Sequence, residues 1–463
     1  MNESYFDLQE ENLDFSPEFQ VDDKGHLSLY GINLFELVKE HGAPLRVTYL
    51  PKITSQIKKA KSMFKKAFRK HGYEGSYTYC YCTKSSHFSF VLDEVLKNDV
   101  HIETSSAFDI PLIEKLTSEG KFSKDRYVIC NGYKRPEYTK QIVKLLENDY
   151  EHVVPVLDNE NELDTFLEAT KKPFEIGIRI ATEEMPNFSF YTSRLGINPT
   201  RILDYYNKHV KTASQVKLKM LHFFINTGIK DHVYYWNELD KCLNLYVKLK
   251  KVCPTLDSLN IGGGLPFKTS LTFDYDYQEF IDKIIDNIKY HCDQEGIEVP
   301  NIFTEFGSFT VSESGMMLYS ILDQKQQNDR ELWYMINNSF MTTLPDAWAI
   351  DQRFIMLPLN KWYERYKHVY LGGLTCDSMD FYNAEAHNNK IFLPILNKKD
   401  PLYIGFFYTG AYQDSISGFG GIKHCLIPSP KFVIIDRDEK GMITHKVFEE
   451  EQSSASMLQI LGY

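Results

Sequence analysis

The sequence predicts an α/β protein, with a (β/α)8 TIM-like barrel followed by a C-terminal antiparallel β domain. Eight strand-like runs occur between residues 77 and 306, and stretches with helical periodicity separate them. After about residue 315, short alternating runs lie between turns rich in Asn, Gly and Asp. The first pattern is typical of a closed parallel barrel, and the second is typical of an antiparallel sheet.

The first 45 residues are expected to form a segment that joins the β domain. Residues 1–30 are polar and acidic, and residues 33–41 have helical character up to Gly42. A turn then leads into a strand at Leu45-Arg46-Val47. The stretch 52–71 places its apolar residues at helical spacing with lysines on the other side, which predicts an amphipathic helix.

The barrel is predicted for residues 46–315. Its runs are rich in aromatic and β-branched residues, as strands are. Long amphipathic helices are expected at about 233–251 and 276–294. The eight predicted strands are 77–84, 100–105, 127–131, 153–158, 176–181, 217–226, 258–262 and 301–306.

Residues 316–463 are predicted to form the β domain, which would complete the active site across a dimer interface. Its candidate strands are 331–337, 353–358, 367–371, 402–408 and 431–436.

Composition limits the function classes. The chain has 463 residues, a net charge of −11 and no long basic run, which argues against a nucleic-acid surface. The negative charge is compatible with a cationic substrate, although solubility alone explains it. Eight scattered cysteines lack paired CxxC spacing, so no structural metal site is expected. No signal peptide and no apolar window of membrane-spanning length is visible, so we expect a cytoplasmic protein.

Two candidate catalytic residues lie at the carboxyl ends of the first and last strands, where such barrels carry their chemistry. Lys84 ends the first run and Glu305 lies late in the eighth. The two strands are neighbours in a closed barrel, so both side chains would face one cavity. Taken alone, Lys84 is equally a surface lysine, and Glu305 is equally a strand-end cap or a salt-bridge partner.

A glycine loop follows the seventh run. Gly262, Gly263 and Gly264 let the backbone approach an anion, and this position in the fold often holds a phosphate. A flexible turn is the alternative. A lysine beside a phosphate site predicts a Schiff base with pyridoxal 5'-phosphate, and Glu305 would keep the cofactor's ring nitrogen protonated.

Many stretches together carry a family resemblance. The chain resembles the fold-type III pyridoxal-phosphate-dependent decarboxylases, and among them the biosynthetic arginine decarboxylases, from about residue 30 to 425. The stretches include Tyr81-Cys82-Thr83-Lys84, Ile102-Glu103-Thr104-Ser105-Ser106-Ala107-Phe108-Asp109, Cys130-Asn131-Gly132-Tyr133-Lys134, Ser193-Arg194-Leu195-Gly196-Ile197, Leu221-His222-Phe223 and Thr304-Glu305-Phe306-Gly307. Those that indicate arginine decarboxylase are Leu344-Pro345-Asp346-Ala347-Trp348-Ala349-Ile350-Asp351-Gln352 with Leu357-Pro358-Leu359, Thr375-Cys376-Asp377-Ser378, and Gly405-Phe406-Phe407-Tyr408-Thr409-Gly410-Ala411-Tyr412-Gln413.

The resemblance implies roles by position. Lys84 would hold the cofactor, Glu305 would pair with its ring nitrogen, and Tyr412 would help the glycine loop to bind phosphate. Cys376 would reach the cofactor from a partner subunit and return a proton to the α-carbon, as a thiol of low pKa.

Four aspartates are candidates for binding the distal cationic group of the substrate. Asp377 is preferred, Asp380 is the second candidate, and Asp346 and Asp351 are equally turn or surface residues.

Two positions depart from the family. Phe224 occupies the place of a histidine that usually stacks on the cofactor ring. Ser308 follows Gly307 where an arginine usually contacts the phosphate. Phenylalanine still stacks but donates no hydrogen bond. Without the arginine, phosphate binding loses a bidentate partner, for which Thr227, Ser308 or an unassigned cationic side chain would have to compensate.

The function implied is decarboxylation of L-arginine to agmatine in polyamine and spermidine biosynthesis. The alternatives are another basic amino acid, a carboxylated polyamine precursor, a racemase, or a non-catalytic binding protein. The resemblance also implies a homodimer or a larger homo-oligomer, and it allows Mg2+ as an additional cofactor.

Overall fold

The computed structural model describes residues 17–183, 192–225, 228–229, 232–386, 388–397 and 400–463, and these residues form two compact units. The barrel unit comprises Thr54–Pro266 and Tyr275–Thr310. The β-sheet unit comprises the described part of Met1–Ile53, together with Phe267–Asp274 and Val311–Tyr463.

Eight parallel strands close into a barrel, which confirms the predicted fold class. Neighbours in the barrel follow chain order, and the last strand pairs with the first through Phe303 beside Thr78 and Glu305 beside Cys80. The strands are Tyr77–Cys82, His101–Thr104, Tyr127–Cys130, His152–Leu157, Phe174–Arg179, Val216–His222, Ser258–Asn260 and Asn301–Phe306.

Helices follow the strands because amphipathic stretches cover the outside of the barrel with their apolar faces. The long helix Tyr277–Glu295 has clear ends: the Asp276 side chain accepts the Glu279 N–H, and Gly296 closes the last turn in a left-handed conformation. The main helices from the start of the barrel segment are Leu50–His71, Ser89–Leu96, Asp109–Ser118, Pro136–Glu147, Glu162–Ala169, Pro199–Tyr205, His232–Lys250 and Tyr277–Glu295; shorter ones are Thr83–Ser85, Tyr206–Val210 and Ser308–Val311.

The barrel interior is filled with side chains. Buried apolar residues from five strands form one cluster, in which Val154, Met220 and Phe303 are at most 1% exposed. This packing makes the barrel a core rather than a pore. Polar groups therefore gather where the strands end.

The β-sheet unit contains a ten-stranded sheet and a separate three-stranded sheet. Most pairings are antiparallel, as predicted, but two are parallel: Leu45–Tyr49 with Lys431–Arg437, and Glu331–Ile336 with Tyr366–Gly372. Both pair strands far apart in the chain, which a prediction from local pattern does not anticipate. The strands are Phe19–Val21, Leu27–Leu29, Ile32–Asn33, Leu45–Tyr49, Gly315–Asn328, Glu331–Ile336, Ile355–Pro358, Tyr366–Gly372, Phe381–Tyr382, Ile391–Pro394, Tyr403–Phe407, Lys431–Arg437 and Ile443–Glu449.

Helices in this unit are short. They are Leu34–His41, Ser312–Ser314, Phe340–Thr343, Pro345–Ala349, Gln413–Ser417, His424–Leu426 and Ser454–Leu461. Among the residues that the structure describes, no helix has both the length and the apolar character that a membrane crossing requires.

Candidate active site

Lys84 lies directly after the first barrel strand, in the short helical turn Thr83–Ser85. Its Nζ donates to both carboxylate oxygens of Glu103, at 3.0 and 2.9 Å, and to the hydroxyl of Ser105 at 3.2 Å. The side chain is 43% exposed, whereas that of Glu103 is fully buried. The amine is therefore held in place and remains accessible.

One amide connects the lysine to the acid that the sequence singled out. Asn131, which follows the third strand, donates from Nδ2 to Glu103 at 3.0 Å and to Glu305 at 2.9 Å. Glu103 in turn accepts from Lys84. The structure thus places Lys84 and Glu305 at the two ends of one hydrogen-bonded chain.

Glu305 is a buried carboxylate with a low pKa. Burial raises its pKa, but the charge and hydrogen bond of His222, the charge of Lys84 and the hydrogen bond from Asn131 together lower it to about 2. Because an ionised carboxylate only accepts, His222 Nε2 is the donor at 3.0 Å, and Asn260 donates to the other oxygen at 2.6 Å. The Glu305 carboxylate is therefore ionised at neutral pH.

The glycine loop approaches its neighbours too closely for side chains. A Cβ at Gly263 would lie 2.3 Å from the carbonyl oxygen of Glu305, and a Cβ at Gly262 would lie 2.7 Å from the ring of Phe224. Gly262 and Gly264 also have positive φ angles of 64° and 89°. The triple glycine is thus required by the packing of this end of the barrel.

Of the two positions that depart from the family pattern, Phe224 lies beside this loop. The half-buried Phe224 ring packs under the guanidinium of Arg179, at 5.6 Å from its centroid. Ser308 is half-buried and begins the short helix Ser308–Val311 after the eighth strand. Thr227, the other predicted cofactor contact, lies outside the described residues.

The barrel end fits a planar, phosphorylated aldehyde of the pyridoxal type. Within the described chain, the buried atoms His222 Nδ1 and Asn131 Oδ1 have no hydrogen-bond partner, and both side chains bind Glu305. Such atoms indicate a polar ligand. Lys84 supplies the amine, and the backbone of the glycine loop lies at the same end of the barrel, against Glu305 and Phe224.

Cys376 and Asp377 lie in the β-sheet unit, on an exposed loop after the strand Tyr366–Gly372. Within the described residues, the Asp377 side chain makes one hydrogen bond, which its carboxylate accepts from the nearby Met379 N–H. Cys425, whose Sγ lies 3.5 Å from that of Cys376, raises the pKa of the Cys376 thiol. This direction is opposite to the low pKa expected from the resemblance.

Asp380, the second candidate for binding the substrate, uses both carboxylate oxygens in hydrogen bonds within the β-sheet unit. It is 5% exposed, and one oxygen accepts the Phe340 N–H at 2.8 Å. The other oxygen accepts the N–H and the hydroxyl of Thr375, at 3.1 and 2.7 Å. Both oxygens are thus used to hold the loop that carries Cys376, which leaves Asp377 as the candidate for the substrate.

Tyr412 adopts an unusual backbone conformation immediately before the helix Gln413–Ser417. Its φ angle is 65°, in the left-handed region that bulky residues rarely adopt. Such a conformation is costly and is retained mainly where function requires it. The geometry is compatible with a binding role for Tyr412.

Four further side chains of this site had no role predicted from the sequence. They are Glu103, Asn131, His222 and Asn260, and each lies at or next to the carboxyl end of a barrel strand. A polar residue that ends an apolar run was the available signal, but only the fold shows that all four converge on Lys84 and Glu305.

Comparisons with known proteins agree with this fold. Residues 53–312 match the family model described as pyridoxal-dependent decarboxylase, pyridoxal binding domain. A biosynthetic arginine decarboxylase from Phocaeicola vulgatus is 22% identical, over 96% of this chain and 89% of that protein.

Two solved structures share the fold. The biosynthetic arginine decarboxylase of Campylobacter jejuni has a TM-score of 0.81 at 20% identity, covering 97% of this chain and 89% of that one. A diaminopimelate decarboxylase from M. jannaschii, solved with L-lysine, has a TM-score of 0.78 at 18% identity, covering 95% and 96%.

Proposed function

Since the chain belongs to the pyridoxal-dependent decarboxylases, as the match over residues 53–312 shows, we propose that it converts L-arginine to agmatine and CO2. The observation that carries the proposal is the hydrogen-bonded chain from Lys84 through Glu103 and Asn131 to Glu305. It joins an accessible amine to a buried anion across the mouth of the barrel. Arginine decarboxylases are similar to this chain over most of its length, which supports arginine as the substrate.

The barrel residues would hold and orient the cofactor. Lys84 Nζ would attach it, the loop at 262–264 and Tyr412 would hold its phosphate, and Ser308 is a further contact. Phe224, kept in place by Arg179, would stack on the ring. When bound, pyridoxal phosphate supplies an electron sink for the pair left behind by the departing carboxylate.

Glu305 would keep a proton on the ring nitrogen. Its low pKa ensures that the carboxylate is ionised at neutral pH, so it accepts from a protonated nitrogen. A protonated ring is the stronger electron sink, which favours loss of CO2 over racemisation.

Cys376 would return the proton to the α-carbon. The pKa of its thiol is raised by Cys425, so the thiol keeps its proton at neutral pH until the carbon takes it. Asp377, exposed next to it, would pair with the guanidinium, for which a carboxylate is the natural planar partner.

We propose a homodimer or larger homo-oligomer in which this loop serves a partner's barrel. Exposed apolar side chains near the loop support this, including Leu374 at 44% and Met379 at 49% exposure. A cytoplasmic location and a role in polyamine and spermidine biosynthesis complete the proposal. All eight cysteines are free thiols, which suits a reducing compartment. A Mg2+ requirement rests on the resemblance alone.

The test is CO2 release from arginine, lysine, ornithine and diaminopimelate, with and without added pyridoxal phosphate. Arginine should give the highest kcat/KM, and activity should depend on the cofactor. Lys84→Ala should abolish turnover and the visible absorption of the bound cofactor. Lys115→Ala, on an exposed helix, is the matched control.

Preference for another basic amino acid would refute the substrate while leaving the family assignment intact. Equal silence on every substrate would favour a non-catalytic protein. The departures from the family pattern at Phe224 and Ser308 support the non-catalytic protein as the second candidate.

A further inference from the structure

Three metal-binding side chains converge on one exposed place of the β-sheet unit. Cys376 Sγ lies 3.7 Å from His424 Nε2 and 3.5 Å from Cys425 Sγ. The three donor atoms all lie within 4.8 Å of one another, and all three residues are exposed. Cys376 and Cys425 are 49 positions apart in the chain, so the spacing of the cysteines does not reveal this cluster.

The two distances from Cys376 Sγ are close to the edges of a tetrahedral zinc site. Zinc binds thiolate at about 2.3 Å and imidazole at about 2.0–2.1 Å. A tetrahedron with these bonds separates two sulfurs by roughly 3.8 Å and a sulfur from a nitrogen by roughly 3.6 Å. Small shifts of the side chains suffice to bring the cluster to these values.

Both loops that carry the donors are anchored by buried residues. Asp380 holds the loop of Cys376 through Thr375, as described above. On the other loop, Lys423 precedes His424 and is 8% exposed. Its Nζ donates to the carbonyl oxygens of Thr342 and Ser417, both at 3.3 Å. The donors are therefore presented by fixed backbone, which lowers the entropic cost of binding an ion.

We infer that Cys376, His424 and Cys425 bind a thiophilic divalent cation such as Zn2+, with one coordination position open. Binding displaces the protons of both thiols and involves no oxidation or reduction. Because Cys376 then has no proton to give, the ion is a reversible inhibitor. The inhibition, but not the binding, rests on the proposed function of Cys376.

The third donor favours a metal over a disulfide between the two cysteines. A disulfide uses only Cys376 and Cys425 and leaves the imidazole without a role. The backbone N–H of Cys376 also points to Cys425 Sγ at 3.5 Å, a contact that stabilises a thiolate.

The experiment uses the full chain loaded with pyridoxal phosphate, under a non-chelating reductant. Co2+ is titrated first, and the visible d–d bands of tetrahedral thiolate-bound cobalt report binding. Zn2+ should displace the cobalt, inhibit CO2 release and be reversed by EDTA. His424→Gln should keep the basal activity but weaken Zn2+ binding more than about 100-fold, because it removes a direct ligand.

Two further variants keep the test decisive. Cys425→Ser should also lose the cobalt bands, which covers the case in which His424→Gln fails to fold. His445→Ala is the matched control, because Glu40, His41 and His445 form another group of donor atoms, in which Glu40 and His445 are exposed. This variant should bind and respond to Zn2+ at Cys376 as the wild type does.

Absence of the cobalt bands from the wild type would overturn the inference, as would equal Zn2+ affinity in His424→Gln. Inactivation that appears only without reductant, and that a dithiol but not EDTA reverses, would show a disulfide instead. Cobalt bands in a protein that does not decarboxylate arginine would support the metal site while refuting the proposed function.

Discussion

Gly263→Ala tests whether the close approach of the glycine loop makes the cofactor site. The added Cβ would lie 2.3 Å from the carbonyl oxygen of Glu305, where real Cβ atoms essentially never come within 3.0 Å. The loop or the end of the eighth strand must therefore move by at least about 0.7 Å. Because both flank the proposed phosphate and ring positions, either shift disturbs cofactor binding.

The size of the effect follows from the cost of overpacking. Inserting a methyl group into a close-packed place costs about 1–3 kcal/mol. If this cost falls on the bound state, affinity for pyridoxal phosphate drops by roughly 5- to 150-fold. A displacement of this size at a reacting centre also lowers turnover, by up to about 100-fold.

The assay is titration of the cofactor-free protein with pyridoxal phosphate, followed by visible absorption, together with kcat for CO2 release. Gly296→Ala is the control, because its Cβ meets nothing within 4 Å while its φ of 64° carries the strain of a left-handed residue. That variant should lose about 1 kcal/mol of stability and keep its cofactor affinity. Wild-type affinity in a correctly folded Gly263→Ala protein would refute the reasoning.

Three other predictions concern single side chains of the site. Phe224→Leu should weaken cofactor binding by about 0.5–1.5 kcal/mol, or roughly 2- to 12-fold in the same titration, because it removes the ring face; unchanged affinity would exclude stacking. Asp377→Asn should raise KM for arginine without changing the melting temperature. Asp380→Asn should instead lower the melting temperature, because the new amide NH2 would face backbone N–H groups that now donate to the carboxylate. The reverse pattern would assign substrate binding to Asp380. The pKa of Glu305 is about 2 in the folded state and 4.5 for the ordinary carboxyl, which contributes up to about 3 kcal/mol of stability above about pH 4.5 that is lost as the pH falls towards 2. The difference in unfolding free energy between wild type and Glu305→Gln should therefore shrink from pH 6 to pH 3. A difference that does not change with pH would contradict this.

The barrel was predictable because its local pattern repeats. Each apolar run and each amphipathic stretch is short enough to recognise by itself, and eight such units leave few folds open. The β-sheet unit was less predictable: the strand Gly315–Asn328 was missed because its second half is exposed and polar, and Ile443–Glu449 because hardly any of it is buried. The local pattern reports burial, which is absent from the second half of the first strand and incomplete at every position of the second.

Some residues of the site could be predicted from the sequence, whereas others depend on contacts that only the fold creates. Lys84 and Glu305 were recognisable because they lie at the ends of the first and last predicted strands, which are neighbours in a closed barrel. Asp377 and Asp380 carry the same functional group three positions apart, and only the fold shows that one is exposed and the other is used in backbone hydrogen bonds. The convergence of His424 and Cys425 on Cys376 depends on the packing of two distant loops in the same way.

The pairing of the first and last barrel strands also sets an order of events during synthesis. Lys84 leaves the ribosome roughly 220 residues before the strand that carries Glu305, and that strand pairs directly with Tyr77–Cys82. A nascent chain that stops before residue 301 has an open sheet edge and no acid to complete the site. On the proposed function, a chain can therefore bind pyridoxal phosphate between Lys84 and Glu305 only after its barrel has closed.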